Sequence, residues 1–319
     1  MRFSTKVPIA SSKHPITYHS KIVSLGSCFA ENMGAKLEYY KFPNTVNPFG
    51  IIFNPVSIEK LIYRVVHQIP FTEKDIFSHN ELWHCYEVHS ELSHPDKEFL
   101  LNNLNQILES THNQITKSTH IIITHGTSWI YKLKSNNQVV ANCHKVPQKE
   151  FEKELLSIER IEQSIQNTIA LIQKANPNCH LIFTVSPVRH IKDGFVENTV
   201  SKSNLLTAIY QQLQTEHCKR NTAYFPSYEI MMDELRDYRF YAEDMLHPNQ
   251  VAIDYIWERF FQTQITEANF PIMEEVGAIQ KGLAHRPFNP NSESHQLFLA
   301  NLTQKILLLE EKIPHLKFF

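Results

Sequence analysis

The chain has 319 residues, of which 42% are hydrophobic and 20% are charged, a balance typical of a folded protein with a substantial core. The formal net charge is −2, and no long basic run is present, so the sequence gives no field that would attract nucleic acid. Because no apolar run is long enough to cross a bilayer and Met1–Pro8 has no secretory pattern, we expect a cytoplasmic protein without a membrane partner.

Strands and helices alternate along most of the chain. Apolar runs typical of buried strands are found at 21–25, 120–124, 180–185 and 222–225, each closely followed by a glycine or a proline. Amphipathic helices are predicted at 29–40, 158–172 and 251–260. This alternation predicts an α/β fold, namely a three-layer α/β/α sandwich around a mostly parallel sheet.

Residues 71–100 do not fit the alternation and are predicted to form a β-rich insertion. His79, His84, His89 and His94 recur there in steps of five, which looks like a metal-binding repeat. Such steps leave a single helix face and alternate between the two sides of a strand. We therefore expect no metal site in this segment.

The end of the chain is predicted to be helical. A loop at 286–291 precedes a helix whose apolar residues recur along one side: Phe298, Leu302, Ile306 and Leu309. We predict a main domain at 1–262 and a helical extension packed on it at 263–319. Pairing of the last helix in a homodimer is the alternative.

Neither the cysteines nor the glycines indicate a metal or a cofactor. The five cysteines are odd in number and lack Cys-x-x-Cys spacing, so we expect free thiols: Cys28, Cys85, Cys143, Cys179 and Cys218. The segment at Gly26 lacks the Gly-x-Gly-x-x-Gly spacing of dinucleotide sites, and no phosphate-binding loop motif is present. We expect no cofactor.

Ser27 directly follows the first predicted strand. Open parallel sheets bind ligands at the carboxyl ends of their strands, and a serine there lies near a helix amino terminus that stabilises negative charge. A simple N-cap role for Ser27 is the alternative. The adjacent Cys28 is a second candidate nucleophile, but we favour Ser27 because free cysteines are usually buried.

A base for this serine is predicted in Asp244-Met-Leu-His247, the one Asp-x-x-His in the sequence. A hydroxyl needs a base within hydrogen-bond reach, and the base needs a carboxylate that orients it. The spacing allows Asp244 to hold one ring nitrogen of His247 while the other faces Ser27. We predict a triad of these three residues.

Two further segments are candidates for an oxyanion hole. Asn47-Pro-Phe-Gly50 offers the N–H of Gly50, and Gly126-Thr-Ser-Trp129 follows a buried strand and offers hydroxyls, N–H groups and an aromatic wall. A plain turn is the alternative for each.

The residues Gly26-Ser27-Cys28-Phe29-Ala30 spell the motif of the GSCFA family, whose members resemble the SGNH (GDSL-like) hydrolases. The run at 24–34 resembles the first block of that family. Later segments resemble its further blocks in the same order: 47–50, 126–129, 142–145, 186–190 and 244–248. The resemblance spans about residues 20–262 and implies the flavodoxin-like SGNH fold.

The resemblance implies that Ser27 is the nucleophile, that Asp244 and His247 are its partners, and that Gly50 is an oxyanion donor. SGNH hydrolases usually carry Gly-x-Asn-Asp in the third block, and Ser128 stands where that asparagine is expected. Either Ser128 or Asn142 takes its place. Candidates for lining the substrate cleft are His89, Trp129, His144 and His190, with a structural role as the alternative for the histidines.

Three functions fit this set of residues. The first is a serine esterase or deacylase that acts on an acyl ester of a small molecule or a glycan. The second is an O-acyltransferase that uses the same triad, and the third is a catalytically silent binding module. A complete Ser, His and Asp set argues against the third.

Overall fold

The computed structural model describes residues 5–215 and 221–318, so the predicted thiol Cys218 lies outside the described residues. The strands are β1 (Ile22–Gly26), β2 (Asn44–Val46), β3 (Ile76–His79), β4 (Leu82–Cys85), β5 (His120–His125), β6 (Trp129–Leu133), β7 (Gln138–Val140), β8 (Phe151–Leu155), β9 (His180–Val185) and β10 (Thr222–Tyr224). The helices are α1 (Cys28–Tyr39), α2 (Pro55–Val66), α3 (Lys97–Lys117), α4 (Ile158–Ala175), α5 (Phe195–Leu213), α6 (Ser227–Glu229), α7 (Gln250–Gln264), α8 (Phe270–Leu283) and α9 (Glu293–Lys312).

Five strands form one parallel sheet in the order β2-β1-β5-β9-β10. In chain order this is the 2-1-3-4-5 arrangement of flavodoxin-like folds, whose ligand crevice lies where the strand order reverses. Here that point is between β1 and β5. The two strands run in register, with Ile22 opposite His120 and Gly26 opposite Thr124, so their carboxyl ends are level. The predicted α/β class is confirmed.

The sheet has a helical layer on each face. Along β5, Ile121 and Ile123 pack into a core with helices α2, α3, α4 and α5. Ile122, between them, packs into a second core with α1, α7, α8 and α9. Because successive side chains of a strand point to opposite faces, this alternation of one strand between two cores confirms the three-layer sandwich.

Capping residues and apolar spacing explain where the helices lie. The Ser157 hydroxyl accepts a hydrogen bond from the Arg160 N–H at the start of α4, which satisfies one of the unpaired donors there. The isoleucines of this helix at 161, 165, 169 and 172 are buried in one stripe.

Two small antiparallel sheets lie outside the main sheet. The predicted β-rich insertion contains the hairpin β3-β4, with Ile76 opposite Cys85. The second sheet, β7-β6-β8, was missed by the sequence analysis, which treated 126–129 and 142–145 as loops. Its strands are short and largely polar, as in Phe151-Glu-Lys-Glu-Leu155, so they lack the apolar signal of a buried strand.

The last two helices pack on the face that carries α1 and α7. Met273, Val276 and Ile279 of α8 join the same core as Leu302 and Ile306 of α9. The predicted boundary at 262 falls within the last turn of α7 and remains a prediction. No helix within the described ranges is long and apolar enough to cross a membrane.

Gly26→Ala is expected to destabilise the fold by at least about 3 kcal/mol, since Gly26 has φ +128° and a methyl group there would lie 2.1 Å from the Thr124 carbonyl oxygen. Gly277→Ala in α8 is the matched control. Its methyl group would meet only Tyr40, at 3.5 Å, so we expect stability to change by no more than about 1 kcal/mol. Urea unfolding of both variants checks this, and equal losses would contradict it.

Candidate active site

Ser27 lies between β1 and α1, at the reversal point of the sheet. It is the N-cap of α1, with φ −73° and ψ 172°, and its Oγ accepts a hydrogen bond from the Phe29 N–H at 3.3 Å. Its own N–H donates to the Thr124 carbonyl oxygen at 3.0 Å. The residue is fully buried. The capping role considered from the sequence is therefore present, and it holds the Ser27 hydroxyl at the carboxyl edge of the sheet.

Gly126 lies close to both Phe53 and Ser27. The Gly126 N–H donates to the Phe53 carbonyl oxygen at 2.7 Å. A methyl group on Gly126 would lie 3.0 Å from the Phe53 ring and 3.3 Å from Ser27 Cβ. The Phe53 ring packs edge-on against His190, with 5.4 Å between ring centroids. Phe53 and Ser27 are thus both neighbours of Gly126, and Phe53 connects this point to His190.

Asp244 and His247 form a hydrogen-bonded pair. Asp244 Oδ2 accepts from His247 Nδ1 at 2.6 Å, and Oδ1 accepts from the N–H groups of Leu246 and His247 at 2.9 and 3.0 Å. These backbone N–H groups and the imidazole lower the pKa of Asp244 to about 2. The carboxylate therefore stays ionised at neutral pH and fixes both the turn and the ring.

Among the described residues, no hydrogen bond joins Ser27 to His247. The Asp244 and His247 side chains are 45% and 47% exposed, whereas Ser27 is buried. The two parts of the predicted triad share the carboxyl edge, because the Arg189 N–H after β9 donates to the Leu246 carbonyl oxygen at 3.3 Å. The structure thus brings Asp244 and His247 together and leaves Ser27 buried without a hydrogen bond to them among the described residues.

His190 packs against Phe53. Its backbone N–H donates to Asn198 Oδ1 at 2.8 Å, and its buried Nε2 has no hydrogen-bond partner among the described residues. Burial, with a smaller contribution from the positive charges of Lys202 and His247, lowers the pKa of His190 to about 3. A neutral ring with an unpaired nitrogen can donate to or accept from a ligand.

Lys202 of α5 is buried under the same edge. It is 1% exposed, and its Nζ donates to the carbonyl oxygens of Gly126 and Ser186, each at 2.7 Å. These carbonyls follow β5 and β9. Burial lowers the pKa of Lys202 to about 7.

Gly50 and His89 pack against each other beside the first block. A methyl group on Gly50 would lie 2.2 Å from His89 Cβ. The Gly50 N–H donates to the Asn47 carbonyl oxygen at 2.7 Å, while Asn47 Oδ1 accepts from the Gly26 N–H at 2.8 Å. The loop is therefore next to the strand that carries Ser27, but an oxyanion role for Gly50 requires its turn bond to open.

Ser128 and Asn142 are engaged elsewhere. Ser128 is buried, its hydroxyl donates to the Ser201 carbonyl oxygen at 2.5 Å, and its N–H donates to Ser201 Oγ at 2.8 Å. Asn142 Oδ1 accepts from the His144 N–H at 2.8 Å. Neither residue has a described hydrogen bond to Ser27, so their oxyanion roles remain predictions.

Trp129 and His144 also have local partners. Trp129 Nε1 donates to the Glu197 carbonyl oxygen at 3.4 Å, and Lys153 Nζ lies 4.4 Å from the centroid of its ring. The buried His144 donates from Nε2 to the Cys85 carbonyl oxygen at 2.7 Å, and burial lowers the pKa of His144 to about 4. His144 therefore joins the main chain of the insertion to the second small sheet.

A comparison with models of protein families identifies the family of this chain. The GSCFA family model matches residues 21–260, which include Ser27, Gly126, Lys202 and His247. The chain belongs to the GSCFA family. A model described as the C-terminal domain of GSCFA domain proteins matches residues 276–319, where α8 ends and α9 follows.

Comparison with curated proteins finds no significant match for this GSCFA chain. A similar solved structure is an acetyl xylan esterase from the rumen bacterium Butyrivibrio proteoclasticus, with 9% identity and a TM-score of 0.41. The match covers 81% of this chain and 66% of the esterase chain.

Cys28, the second candidate nucleophile, differs from its expected state because it is partly exposed while Ser27 is buried. The reason is that Ser27 turns inward to cap α1, and Cys28 begins the helix. Burial and the nearby Glu31 raise the pKa of Cys28 above its usual value, although Lys202 opposes them. The thiolate is thus not favoured in this GSCFA structure.

His84, one of the evenly spaced histidines of the insertion, forms its hydrogen bonds within the insertion. His84 donates from Nε2 to the His79 carbonyl oxygen at 3.0 Å, and its Nδ1 accepts from the Ser93 hydroxyl at 2.6 Å. In the part of the chain that the structure describes, no three His, Cys, Asp or Glu residues are placed to hold a metal ion.

Phe53 and Lys202 were not predicted from the sequence. Lys202 lies three and seven residues before the buried Leu205 and Ile209, so helical spacing put it on the buried face of α5. That spacing was the signal that could have identified Lys202. No such signal existed for Phe53, because its position near Gly126 depends on the path of the loop before α2.

We expect the His190 ring to remain neutral from pH 8 to about 4, as its lowered pKa of about 3 requires. In the unfolded chain histidine titrates near 6.5, so the unfolded state takes up the proton first. The free energy of unfolding should therefore fall as pH falls from about 6.5 towards 3. Nitrogen NMR of the imidazoles measures this directly, and a His190 titration between pH 5 and 8 would refute it.

Proposed function

We propose that this GSCFA protein is a serine esterase or deacylase, with Ser27 as nucleophile and His247 and Asp244 as its base and orienting carboxylate. The substrate is an acyl ester of a small molecule or a glycan. The observation that carries the proposal is the Asp244–His247 pair, hydrogen-bonded at 2.6 Å at the same sheet edge as Ser27. Family membership supports it through the Gly26–Ala30 motif.

The chemistry follows from the free ring nitrogen. His247 donates from Nδ1 to Asp244, which leaves Nε2 to take the Ser27 proton as Oγ forms a bond to the acyl carbon. The tetrahedral anion collapses when the ester C–O bond breaks and His247 returns the proton to the leaving oxygen. Water then attacks the acyl-enzyme in the same way and frees Ser27.

Ser27 is fully buried, so a substrate reaches it only when neighbouring groups move. We infer that the Phe53 ring, which like Ser27 lies close to Gly126, is the group that moves. The same movement would let Ser27 Oγ approach His247, because catalytic hydrogen bonds often tighten only when substrate binds. The N–H groups at the start of α1, among them that of Phe29 beside Ser27 Oγ, would stabilise the oxyanion.

Acyl transfer to a hydroxyl other than water is the second candidate. The observation that favours it is the complete burial of Ser27, because a nucleophile shielded from bulk water allows an acceptor to compete with hydrolysis. Product analysis with and without added sugar or alcohol separates the two reactions. An increase of acylated acceptor at the expense of free acid indicates transfer.

Ser27→Ala should abolish labelling by a fluorophosphonate probe and lower kcat on p-nitrophenyl acetate by at least about 10³-fold. Ser164→Ala is the matched control, since Ser164 is equally buried but its hydroxyl has no partner. Its labelling and turnover should match the wild type. Labelling that moves to Cys28, or that survives in Ser27→Ala, would exclude Ser27; absence of labelling and turnover in the wild type would favour a silent binding module.

Asp244→Asn should lower kcat by about 10³- to 10⁴-fold with little change in KM. The amide can still accept the two backbone N–H bonds, but its NH₂ group cannot accept from His247 Nδ1, so the ring adopts the wrong tautomer. Steady-state kinetics test this. An Asp244→Asn enzyme within about threefold of wild type would remove Asp244 from the mechanism.

A further inference from the structure

Lys202 is a buried lysine for which the described residues supply no counter-ion. Its side chain is 1% exposed, and its described hydrogen bonds go to two carbonyl oxygens, those of Gly126 and Ser186. Within residues 5–215 and 221–318, no carboxylate lies in ion-pair contact with it. An unpaired buried charge is among the most costly features of a protein interior.

The position of this cation relates it to Ser27. One of its two carbonyl partners belongs to Gly126, and a methyl group on Gly126 would lie 3.3 Å from Ser27 Cβ. The other belongs to Ser186, at the end of the next strand. Lys202 thus joins the ends of β5 and β9, and it does so at Gly126, the neighbour of Ser27.

An ammonium group has three N–H donors, and two are used by these carbonyls. The dipoles of two carbonyl groups do not neutralise the full charge of the ammonium group. A positive potential therefore remains at the carboxyl edge of the sheet, and it stabilises a negative group that forms there. In ester cleavage that group is the tetrahedral oxyanion on Ser27.

We propose that Lys202 is a positioning residue of the Ser27 site, which holds Gly126 against the serine and supplies the positive charge that favours the oxyanion. The inference rests on the proposed function. It adds a charged residue to the Ser, His and Asp set and makes the reaction sensitive to the protonation of Lys202.

The surroundings of Lys202 allow its titration to be assigned. Facing it are Cys28 of α1, His190 of the loop after β9, and the Tyr228 ring of α6 at 5.8 Å from Nζ. The pKa of Cys28 and that of Tyr228 are raised by burial, and that of His190 is lowered to about 3. Of these four groups, Lys202, with a pKa of about 7, is the one that changes charge between pH 6 and 8.

The first experiment compares the pH dependence of p-nitrophenyl acetate cleavage in wild type, Lys202→Met and Lys202→Arg. His247 must be deprotonated to act as the base in all three enzymes, so the effect of Lys202 is measured as the ratio of the wild-type rate to the Lys202→Met rate. Loss of the positive charge of Lys202 should lower this ratio as pH rises through about 7. At pH 6 Lys202→Met should be about 10- to 100-fold slower than the wild type. Lys202→Arg keeps a charge that does not titrate, so it should retain more activity than Lys202→Met, and the ratio of their rates should lack the decrease.

Lys36→Met is the matched control, because Lys36 is a partly exposed lysine of α1 paired with Asp254 on the surface. Its pH profile and rate should be those of the wild type. A Lys202→Met enzyme with the wild-type rate and profile would overturn the proposal, and so would a Lys202→Arg enzyme whose rate, relative to that of Lys202→Met, keeps the decrease above pH 7.

A second measurement uses the unmodified chain, so it does not depend on whether the variants fold. Carbon NMR of Lys202 Cε reports its titration before and after a fluorophosphonate reacts with Ser27. The phosphoryl oxygen of the adduct imitates the oxyanion, so the Lys202 titration should shift to higher pH. An adduct with no shift overturns the role of Lys202 alone, whereas failure to form an adduct at Ser27 overturns the proposed function as well.

Discussion

The close approach of β1 and β5 at their carboxyl ends governs the candidate site. Gly26 lies against the Thr124 carbonyl so closely that a methyl group has no room, and Ser27 then donates its N–H to the same carbonyl. Because the two strands are in register, the residues that follow them must be neighbours. Ser27 and Gly126 therefore meet at the point where the strand order reverses, and each further element of the site is arranged around that meeting.

Burial and charge divide this site into two regions. The Asp244–His247 pair lies in solvent contact, where water and the backbone N–H groups of its turn stabilise the carboxylate. Ser27 and Lys202 lie beneath the surface, where an electrostatic interaction is stronger because the dielectric constant is lower. Phe53 packs edge-on against His190 and lies close to Gly126, the neighbour of Ser27.

The histidines show how similar side chains take different roles through their surroundings. His84 and His144 use their ring nitrogens on main-chain carbonyls of the insertion, so they hold short, irregular segments together. His190 has an unpaired Nε2 and a neutral ring next to Phe53. His247 is oriented by a carboxylate. The even spacing in the insertion carried no information about these roles, since ring orientation depends on backbone geometry that spacing does not encode.

The sequence alone determined the layered α/β class, the strands β1, β5, β9 and β10, the β-rich insertion, and the pairing of Asp244 with His247. These features are local, because apolar runs, helical periodicity and a three-residue spacing can each be recognised within a short segment of the sequence. The second small sheet could not be predicted in this way, because its polar strands are stabilised by pairing with one another. Tertiary structure alone decided that Phe53 lies with Ser27 close to Gly126, that Ser128 faces Ser201, and that Lys202 reaches between two strand ends. Each of those depends on residues tens of positions apart in sequence, which only the packing of helices against the sheet brings within contact.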